Sequence, residues 1–283
     1  MGRFANNVKT VMLLGLIMGL AIFLGRVIFG PGPYGIVIGF LFGGMSNIIA
    51  YFFSDKIALA SMRAQQVTER DAPQLVRMVR ELADNAGLPM PTVHVSPQQA
   101  PNAFATGRNP NHAAVCVTQG LLQAMNEREL RGVLAHEMAH VRNRDILITT
   151  IAATCAGAIT SLTYVAFFFG GGRDNDRNPL VALLLILLAP IAATLIQLWI
   201  SRTREYNADA YGAELAGDPM GLASALRRLH QYNKQIPMQV SPSHESMFIV
   251  SPLSAGGAAR LFSTHPPMEE RVRRLEEMAQ RGY

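Results

Sequence analysis

Charged residues are scarce in this chain of 283 residues. Asp, Glu, Lys and Arg together make 16% of it, whereas they make about 25% of typical soluble domains. Hydrophobic residues make 49%, and the charge is missing mainly from four long stretches. This distribution excludes a disordered chain and a collagen-like chain, and it argues against an ordinary soluble enzyme.

Cysteines and clusters of basic residues are scarce as well. The two cysteines, Cys116 and Cys155, are too few for a disulfide scaffold. Cys155 falls within an apolar run, where a thiol typically packs as a small hydrophobic group. The net charge is +5, but no group of Lys and Arg is interleaved with aromatic residues. Nucleic acid is therefore not an expected partner.

Four apolar stretches have the length of a membrane-spanning helix, which needs about 20 residues. They cover residues 11–29, 34–53, 146–172 and 178–201. The first is interrupted by Arg26, whose long side chain can reach the membrane interface. The turn Gly30–Pro33 separates it from the second. We therefore expect a multi-pass membrane protein with two transmembrane hairpins in contact with the lipid bilayer.

These stretches have two other interpretations. The first stretch could be a cleaved signal peptide with Arg3 and Lys9 as its basic region, but no clear small-residue cleavage site follows it. The third and fourth could be buried helices of a soluble core, although their length and lack of charge argue against this. Positive residues favour the cytoplasmic side, so the segments outside the spans are expected to face the cytoplasm.

The two segments outside the spans make enough chain for one hydrophobic core. Apolar spacing predicts a helix from Val67 to Asp84. Runs of β-forming residues predict short strands over 91–95, 102–106 and 113–117, and the second segment is expected to be mostly helical. The predicted fold is mostly α with a small β-sheet. The predicted order of parts is 1–54 (hairpin), 55–145 (folded), 146–201 (hairpin) and 202–283 (folded).

One short motif has the spacing of a metal site. A helix is predicted to begin at Asn126, because Asn126 can cap it and Glu129 completes a capping box. On this helix His136 and His140 are four residues apart, so both imidazoles project from one face, as binding of a single zinc ion requires. Glu137 lies beside them and can take a proton from a metal-bound water. The alternative is two ordinary solvated histidines on a helix surface.

A zinc ion with two histidines and an activating water needs a third protein ligand, commonly a glutamate. Because residues 146–201 are predicted to form a hairpin, both of its ends lie on one face of the membrane. His140 and Glu205 then stand on the order of 6–9 Å beyond the apolar runs, at about 1.5 Å per residue. Glu205 is the predicted third ligand, and a surface charge pair with Arg204 is its alternative role. Other candidates for the ligand are Asp209, Glu214, Glu245 and His265.

Three further charged residues are candidates for supporting these ligands. Asp209 lies one helical turn after Glu205, where it could accept a hydrogen bond from a ligating histidine or pair with an arginine. Arg271 could reach Asp209 or the substrate. Asp145, at the start of the third span, could cap that helix or orient His140.

The order of motifs along the chain resembles one family. The motifs are Asn102–Ala105, Thr118–Leu122, Glu129–Leu130, His136–His140, Ser201–Asp209 and Ser263–Pro267. In this order they are similar to the HtpX-type membrane zinc metalloproteases, which are relatives of the CAAX prenyl proteases. The likeness covers essentially the whole chain. It implies a gluzincin-like catalytic domain with one zinc ion per chain, bound by His136, His140 and Glu205, and Glu137 as general base.

Two candidate sites for the substrate accompany the resemblance. His265 matches the family's Ser/Thr-His-Pro pattern and could donate to the oxyanion that forms when water attacks the peptide carbonyl. The predicted strand that contains Asn102, Ala103 and Phe104 could offer an edge to which the substrate adds as a further strand.

The leading hypothesis is an integral-membrane zinc endopeptidase. The resemblance implies a bacterial-type quality-control enzyme of the plasma (inner) membrane, with its site facing the cytoplasm and with misfolded or damaged membrane and cytosolic polypeptides as substrates. The main alternative is a non-catalytic membrane adaptor with a metal site, which would not need Glu137. A zinc transporter would need ligands within the spans, which hold no His, Asp or Glu. An intramembrane protease would need the motif inside an apolar run, from which Arg142, Arg144 and Asp145 separate it.

Overall fold

The computed structural model describes residues 2–30, 32–151, 202–235, 249 and 266–282. In chain order the first elements are α1 (Gly2–Phe29), α2 (Pro33–Ser61), β1 (Gln65–Val67), α3 (Pro73–Asn85), β2 (Thr92–Ser96), β3 (Ala103–Gly107), β4 (Ala113–Thr118), α4 (Gln119–Ala124) and α5 (Glu127–Asn143). A helix over 145–151, here α6, follows α5. The later elements are α7 (Arg202–Ala216), α8 (Pro219–Gln235) and α9 (Met268–Arg281). The prediction of a mostly helical fold with a small sheet is confirmed.

The apolar helices α1 and α2 pack side by side with their backbones in direct contact. A Cβ added at Gly39 would lie 2.5 Å from the carbonyl oxygen of Ala21 and 2.6 Å from the Cα of Ile22. Small residues at such an interface are typical of membrane helices, which gain little from hydrophobic burial between them. Nδ2 of Asn47 also donates a hydrogen bond to the carbonyl oxygen of Leu14 across the pair, at 3.0 Å.

Among the described residues, α2 is the one helix that is both long and apolar enough to cross a membrane, by length and composition. It extends to Ser61, beyond the predicted end at residue 53. A shorter apolar helix, Thr10–Phe23, lies within α1. Most of the spans predicted over 146–172 and 178–201 lie outside the described residues, since the description stops at residue 151 and resumes at residue 202.

The sheet is mixed, with the strand order β1-β2-β4-β3. β2 and β4 are parallel, and the outer strands β1 and β3 pair antiparallel with them. One face contributes Val93, Val115 and Val117 to the main core, against α3 and α5. The opposite face packs Phe104 and Cys116 against the end of α2. β3 is thus an outer strand that lies between the main core and the apolar hairpin.

The three predicted strands are confirmed within one or two residues at each end, but the start of the first predicted helix is wrong. Helix α3 begins at Pro73, not at Val67, because the rigid proline suits a first helical turn. Val67 instead ends β1, a strand that was not predicted. Between them Thr68 forms a turn, in which its Oγ1 donates to the carboxylate of Asp71 at 2.7 Å.

Helix α5 begins with the predicted capping box. Oδ1 of Asn126 accepts from the backbone N–H of Glu129 at 2.9 Å, and the Glu129 carboxylate accepts from the N–H of Asn126 at 3.1 Å. At its other end, Arg144 adopts a left-handed φ of 59° and stops the helix. The chain therefore turns sharply, and α6 starts at Asp145, close to the end of α5.

Helix α6 connects the site-bearing helix to the apolar pair. Ile151 packs with Leu13 of α1 and Ala50 of α2. The hydroxyl of Thr150 lies 3.0 Å from that of Thr106 on β3. The start of the predicted third span therefore contacts both the hairpin and the outer strand.

Glycines set the distance between α5 and the helices α7 and α8. A Cβ at Gly212 of α7 would lie 2.8 Å from the backbone nitrogen of His136. A Cβ at Gly132 of α5 would lie 2.8 Å from the backbone nitrogen of Leu222 in α8. A side chain at Gly212 would push α7 away from α5, and a side chain at Gly132 would push α8 away from α5. The close contact at Gly212 therefore positions α7 directly beside the histidine motif.

Candidate metal centre

His136 and His140 lie on the same face of α5, opposite Glu205 in the first turn of α7. Their Nε2 atoms are 3.2 Å apart. Oε2 of Glu205 lies 3.8 Å from Nε2 of His136, and Oε1 lies 3.6 Å from Nε2 of His140. Each of the three residues offers one ligand atom within 4.8 Å of the other two, and this group could hold a metal ion.

The donor set fits the coordination chemistry of zinc. Tetrahedral bonds of about 2.0–2.1 Å would separate two imidazole nitrogens by about 3.3 Å, and the nitrogens are 3.2 Å apart. The Glu205 oxygens stand only slightly further out, at 3.6 and 3.8 Å. Three protein ligands leave a fourth position open, which is typical of catalytic rather than structural zinc sites.

The charge around the histidines also favours a divalent cation. Among the described residues, four carboxylates and two guanidinium groups lie in or beside the site. All six are largely buried, and the Arg204 side chain is the most exposed of them at 12%. The carboxylates are those of Glu137, Asp145, Glu205 and Asp209, and the guanidinium groups are those of Arg204 and Arg271. With both histidines neutral and all four carboxyls ionised, as metal binding requires, these groups leave a formal charge of −2, which a divalent ion would balance.

Asp209 and Arg271 support His136 from behind. Oδ1 of Asp209 lies 3.0 Å from Nδ1 of His136, so the ring's other nitrogen, Nε2, is directed to the site. Nε and Nη2 of Arg271 each donate to the Asp209 carboxylate at 2.7 Å, and Nη1 donates to the carbonyl oxygen of Ile249 at 2.7 Å. The charge of Arg271 and its hydrogen bonds lower the pKa of Asp209 below its ordinary value, although burial acts in the opposite direction.

Asp145 occupies the corresponding position behind His140. Its Oδ2 lies 3.4 Å from Nδ1 of His140, and Nη1 of Arg204 lies 3.5 Å from its Oδ1. Both predicted supporting residues, together with Arg271, therefore lie next to the histidines in the structure. The contact of Arg204 with Asp145 was not predicted, because residues 145 and 204 are far apart in sequence and no local pattern relates them.

Glu137 lies beside the two histidines and is 2% exposed. Burial raises its pKa to about 7, and the positive charge of His140 and the backbone N–H of Ala105, which donates to the carboxylate, act against that rise. A carboxyl with a pKa near neutrality can both accept and return a proton at physiological pH. Since Ala105 is in β3, the outer strand also holds this carboxylate.

The two histidines have opposite pKa shifts in the protein without an ion. Burial lowers the pKa of His136 below its ordinary value. Burial acts in the same direction on His140, but Asp145, Glu205 and Glu137 overcome it and raise the pKa of His140 to about 9. His140 must therefore give up a proton before its Nε2 can bind a metal.

The candidate substrate residues lie on β3 and at its start. Asn102 is fully buried, and its Oδ1 accepts from the backbone N–H of Ala103 at 3.0 Å. The Phe104 side chain is buried among residues at the end of α2. Backbone groups alternate in direction along an outer strand. The backbone carbonyl oxygen of Asn102 accepts a hydrogen bond from the N–H of Thr118 in β4. The backbone N–H and C=O groups of the next residue, Ala103, therefore point to the edge of β3 that faces away from β4.

The remaining candidates are not near the donor set or cannot be placed. Glu214 is exposed on α7. His265 and Glu245 lie outside the described residues. Sequence reasoning did not identify Gly212 as a residue of the site either, since the role of a glycine depends on which helix packs against it.

Two histidines one helical turn apart, a glutamate from a second helix and a buried carboxylate beside them are an arrangement that could hold a metal ion and activate water, as metal-dependent peptidases do. The sequence model of Peptidase family M48 matches residues 69–279. The chain belongs to Peptidase family M48, and the prediction of a metalloendopeptidase is confirmed.

Curated relatives support this assignment over the whole chain. A "Protease HtpX homolog" of Burkholderia multivorans is 52% identical over 282 residues, which is 98% of each chain. A protein of the same name from Burkholderia thailandensis has the same identity and coverage. The predicted resemblance to HtpX-type proteases is thus confirmed, and a non-catalytic adaptor is not favoured.

A solved structure shares the fold. The crystal structure of S. mikatae Ste24p has a TM-score of 0.53 and 21% sequence identity, and the match covers 96% of this chain and 66% of that chain. At this identity the likeness concerns the fold alone.

Proposed function

We propose that this protein is an integral-membrane zinc endopeptidase. In it His136, His140 and Glu205 bind one zinc ion, and Glu137 is the general base. The observation that carries the proposal is the convergence of three ligand atoms within 4.8 Å beside a buried carboxylate whose pKa is about 7. A site built only to hold zinc for stability would have four protein ligands and no need of that carboxylate.

Each residue has a defined part in peptide hydrolysis. When bound, the ion supplies Lewis-acid activation of water and of the scissile carbonyl. Glu137 takes a proton from the attacking water and then delivers it to the leaving amine. Asp209 and Asp145 hold the two imidazoles so that Nε2 of each faces the site. His265 is proposed to donate a hydrogen bond to the oxyanion.

The outer edge of β3, which pairs with no other strand among the described residues, is the proposed binding surface for the polypeptide substrate. An extended peptide that adds there would use the backbone carbonyl of Ala103, since the N–H of Ala103 already donates to Asn102. Asn102 would position that strand through its bond to Ala103, and the buried Phe104 would anchor it to α2. Since Glu137 accepts from Ala105 of the same strand, a peptide on this edge would lie next to the general base.

The proposed setting is the plasma (inner) membrane of a bacterium, with four spans in two hairpins. The apolar helix α2 and its close packing against α1 support the first hairpin, and the uncharged sequence over 146–172 and 178–201 supports the second. The positive residues at the ends of the predicted spans support a metal centre on the cytoplasmic side. Its substrates are proposed to be misfolded or damaged membrane and cytosolic polypeptides.

Metal content and cleavage test the proposed chemistry together. We would purify wild type, Glu137→Gln and Glu205→Ala in detergent, measure zinc per chain, and assay cleavage of casein with added zinc. We expect one zinc per chain in wild type and Glu137→Gln, little in Glu205→Ala, and cleavage by wild type alone. If Glu205→Ala keeps its zinc, Glu205 is not the third ligand. If Glu137→Gln cleaves at the wild-type rate, the proposed base is wrong.

Labelling of single cysteines tests the topology. In a chain with Cys116 and Cys155 replaced, Gly32→Cys should react with an impermeant thiol reagent from outside the cell. Gln99→Cys should react only after the membrane is opened. Reaction of both from the same side would refute a first hairpin that spans the membrane.

A further inference from the structure

The support behind His140 consists of two residues from different helices. Asp145 begins α6, and Arg204 lies in the first turn of α7, next to the proposed ligand Glu205. One oxygen of Asp145 is 3.4 Å from Nδ1 of His140, and the other is 3.5 Å from Nη1 of Arg204. The Asp145 side chain is 4% exposed and the Arg204 side chain 12% exposed. The Asp145 carboxylate therefore lies between an imidazole and a guanidinium, largely shielded from water.

This support is looser than the one behind His136. There two nitrogens of Arg271 bind Asp209 at 2.7 Å each, whereas Nη1 of Arg204 lies 3.5 Å from Asp145. The side chain of His140 is 17% exposed and that of His136 is 1% exposed. The orientation of His140 thus depends on longer contacts.

We propose that Arg204 is a positioning residue of the metal centre: it holds Asp145, and Asp145 orients His140. The proposal rests on the proposed function, because it assumes that His140 binds the metal. Without the guanidinium, the Asp145 carboxylate loses the cation on one of its sides and can rotate away from Nδ1. Nε2 of His140 is then no longer directed at the point where the three ligand atoms converge.

The contact between Asp145 and Arg204 joins two different helices, α6 and α7. Helix α5 ends at Asn143, the left-handed residue Arg144 follows, and α6 begins at Asp145, so helix α5 does not continue through Asp145 and does not by itself fix its position relative to α7. The contact with Arg204 joins the start of α6 to the helix that carries Glu205. The Arg204 side chain therefore connects Asp145, which supports His140, to the helix that carries Glu205, the proposed third ligand.

Positioning and long-range electrostatics predict opposite results for removal of Arg204. Removing a positive charge close to a cation site should by itself tighten binding of a divalent ion. Loss of a residue that orients a ligand should weaken it, by roughly tenfold, the lower end of what outer-shell partners contribute. The sign of the change therefore separates the two explanations.

The test uses the full chain in detergent and zinc as the probe. We would measure the zinc dissociation constant by competition with a chelator for wild type, Arg204→Ala, Arg204→Lys, Asp145→Asn and the double variant Arg204→Ala with Asp145→Asn. We expect Arg204→Ala to bind zinc roughly tenfold more weakly and Arg204→Lys to recover part of the loss. Because Arg204 acts through Asp145, the double variant should bind no more weakly than the weaker single variant.

Two further measurements separate positioning from general damage. The matched control is Arg80→Ala, which removes an arginine paired with Glu69 at 2.6 Å on the surface, and it should leave zinc affinity unchanged. The visible spectrum of the cobalt-substituted protein reports ligand geometry, and it should change in Arg204→Ala but not in the control. If Arg204→Ala does not fold, Arg204→Gln keeps most of the side chain and provides the same comparison.

Unchanged or tighter zinc binding in Arg204→Ala and Arg204→Gln would overturn the proposal, as would additive effects in the double variant. These results are distinguishable from failure of the proposed function. If the proposed function itself is wrong, Glu205→Ala would keep its zinc. If Glu205→Ala loses its zinc and Arg204→Ala does not bind it more weakly, only the role of Arg204 is wrong.

Discussion

The contact at Gly212 allows a quantitative prediction about the spacing of the metal ligands. In Gly212→Ala the new Cβ would lie 2.8 Å from the backbone nitrogen and 2.9 Å from the Cα of His136. Ordinary contact begins near 3.4 Å, so the two backbones must separate by about half an ångström. Metal–ligand distances tolerate only about 0.2 Å of deviation. We therefore expect zinc affinity to fall by roughly tenfold or more.

The effect of Gly212→Ala on folding should be smaller than its effect on the metal. Overpacking costs about 1–3 kcal/mol, but alanine is better than glycine in a helix by about 1 kcal/mol. The net loss of unfolding free energy should therefore be about 0–2 kcal/mol. Chelator competition would measure the zinc affinity, and thermal unfolding of the metal-free protein would measure the stability.

Gly132→Ala is the matched control for this experiment. Its Cβ would meet the backbone of Leu222 at the same 2.8 Å, so it should destabilise the fold similarly. Gly132→Ala would separate α5 from α8. Because α8 carries no proposed ligand, the zinc affinity should stay close to that of wild type. The reasoning is refuted if Gly212→Ala binds zinc as tightly as wild type, or if both variants lose affinity equally.

Four other predictions concern protons and stability. The rate constant kcat/KM should fall on the acid side at a pH below about 7, because protonated Glu137 cannot accept a proton and the bound cation lowers its pKa from the value of about 7 that burial produces. A fall that begins above pH 8 would contradict the assignment. Zinc binding at pH 8 should release about one proton, because the pKa of His140 is about 9 without the ion. Calorimetry in two buffers of different ionisation enthalpy would measure the proton release. Equal heats of binding in the two buffers would contradict this prediction. Asn126→Ala should lower the free energy of unfolding by about 1 kcal/mol through loss of the helix cap, with zinc stoichiometry unchanged by metal analysis. Arg271→Leu should cost about 3–5 kcal/mol in thermal unfolding, because Asp209 is left as a buried charge without its guanidinium partner, and a loss below 1 kcal/mol would show that this pair contributes little.

Local sequence patterns predicted the elements that depend on neighbouring residues. The capping box of Asn126 and Glu129 involves groups three residues apart, and α5 begins there. The three predicted strands were recognised from runs of five residues. The start of α3 was misplaced because Val67 continues the apolar spacing, whereas its pairing with Val93 places it in β1. Such pairing depends on residues that are distant in the chain.

The position of Glu205 was predicted by a topological argument, and Asp209, Asp145 and Arg271 were predicted near it, but the contact of Arg204 with Asp145 was not. A hairpin returns the chain to the same side, so Glu205 could be expected near His140 from lengths alone. The pairing of Asp145 with Arg204 required the turn at Arg144 and the direction of α7. The sequence suggested Asp209 as a partner for a ligating histidine, and Asp209 or the substrate as the partner of Arg271; the structure shows Arg271 bound to Asp209 from a third helix.

By itself the sequence determined the chemistry available at this site and the helix that presents it. Side-chain types at a spacing of four residues fall on one helical face whatever surrounds them, and capping acts within a single turn. Only the tertiary structure decided the distances between α5 and α7, because these depend on where a glycine allows two backbones to touch. It also decided the pKa values of Glu137 and His140, since burial and opposing charges come from residues that meet only when the chain is folded.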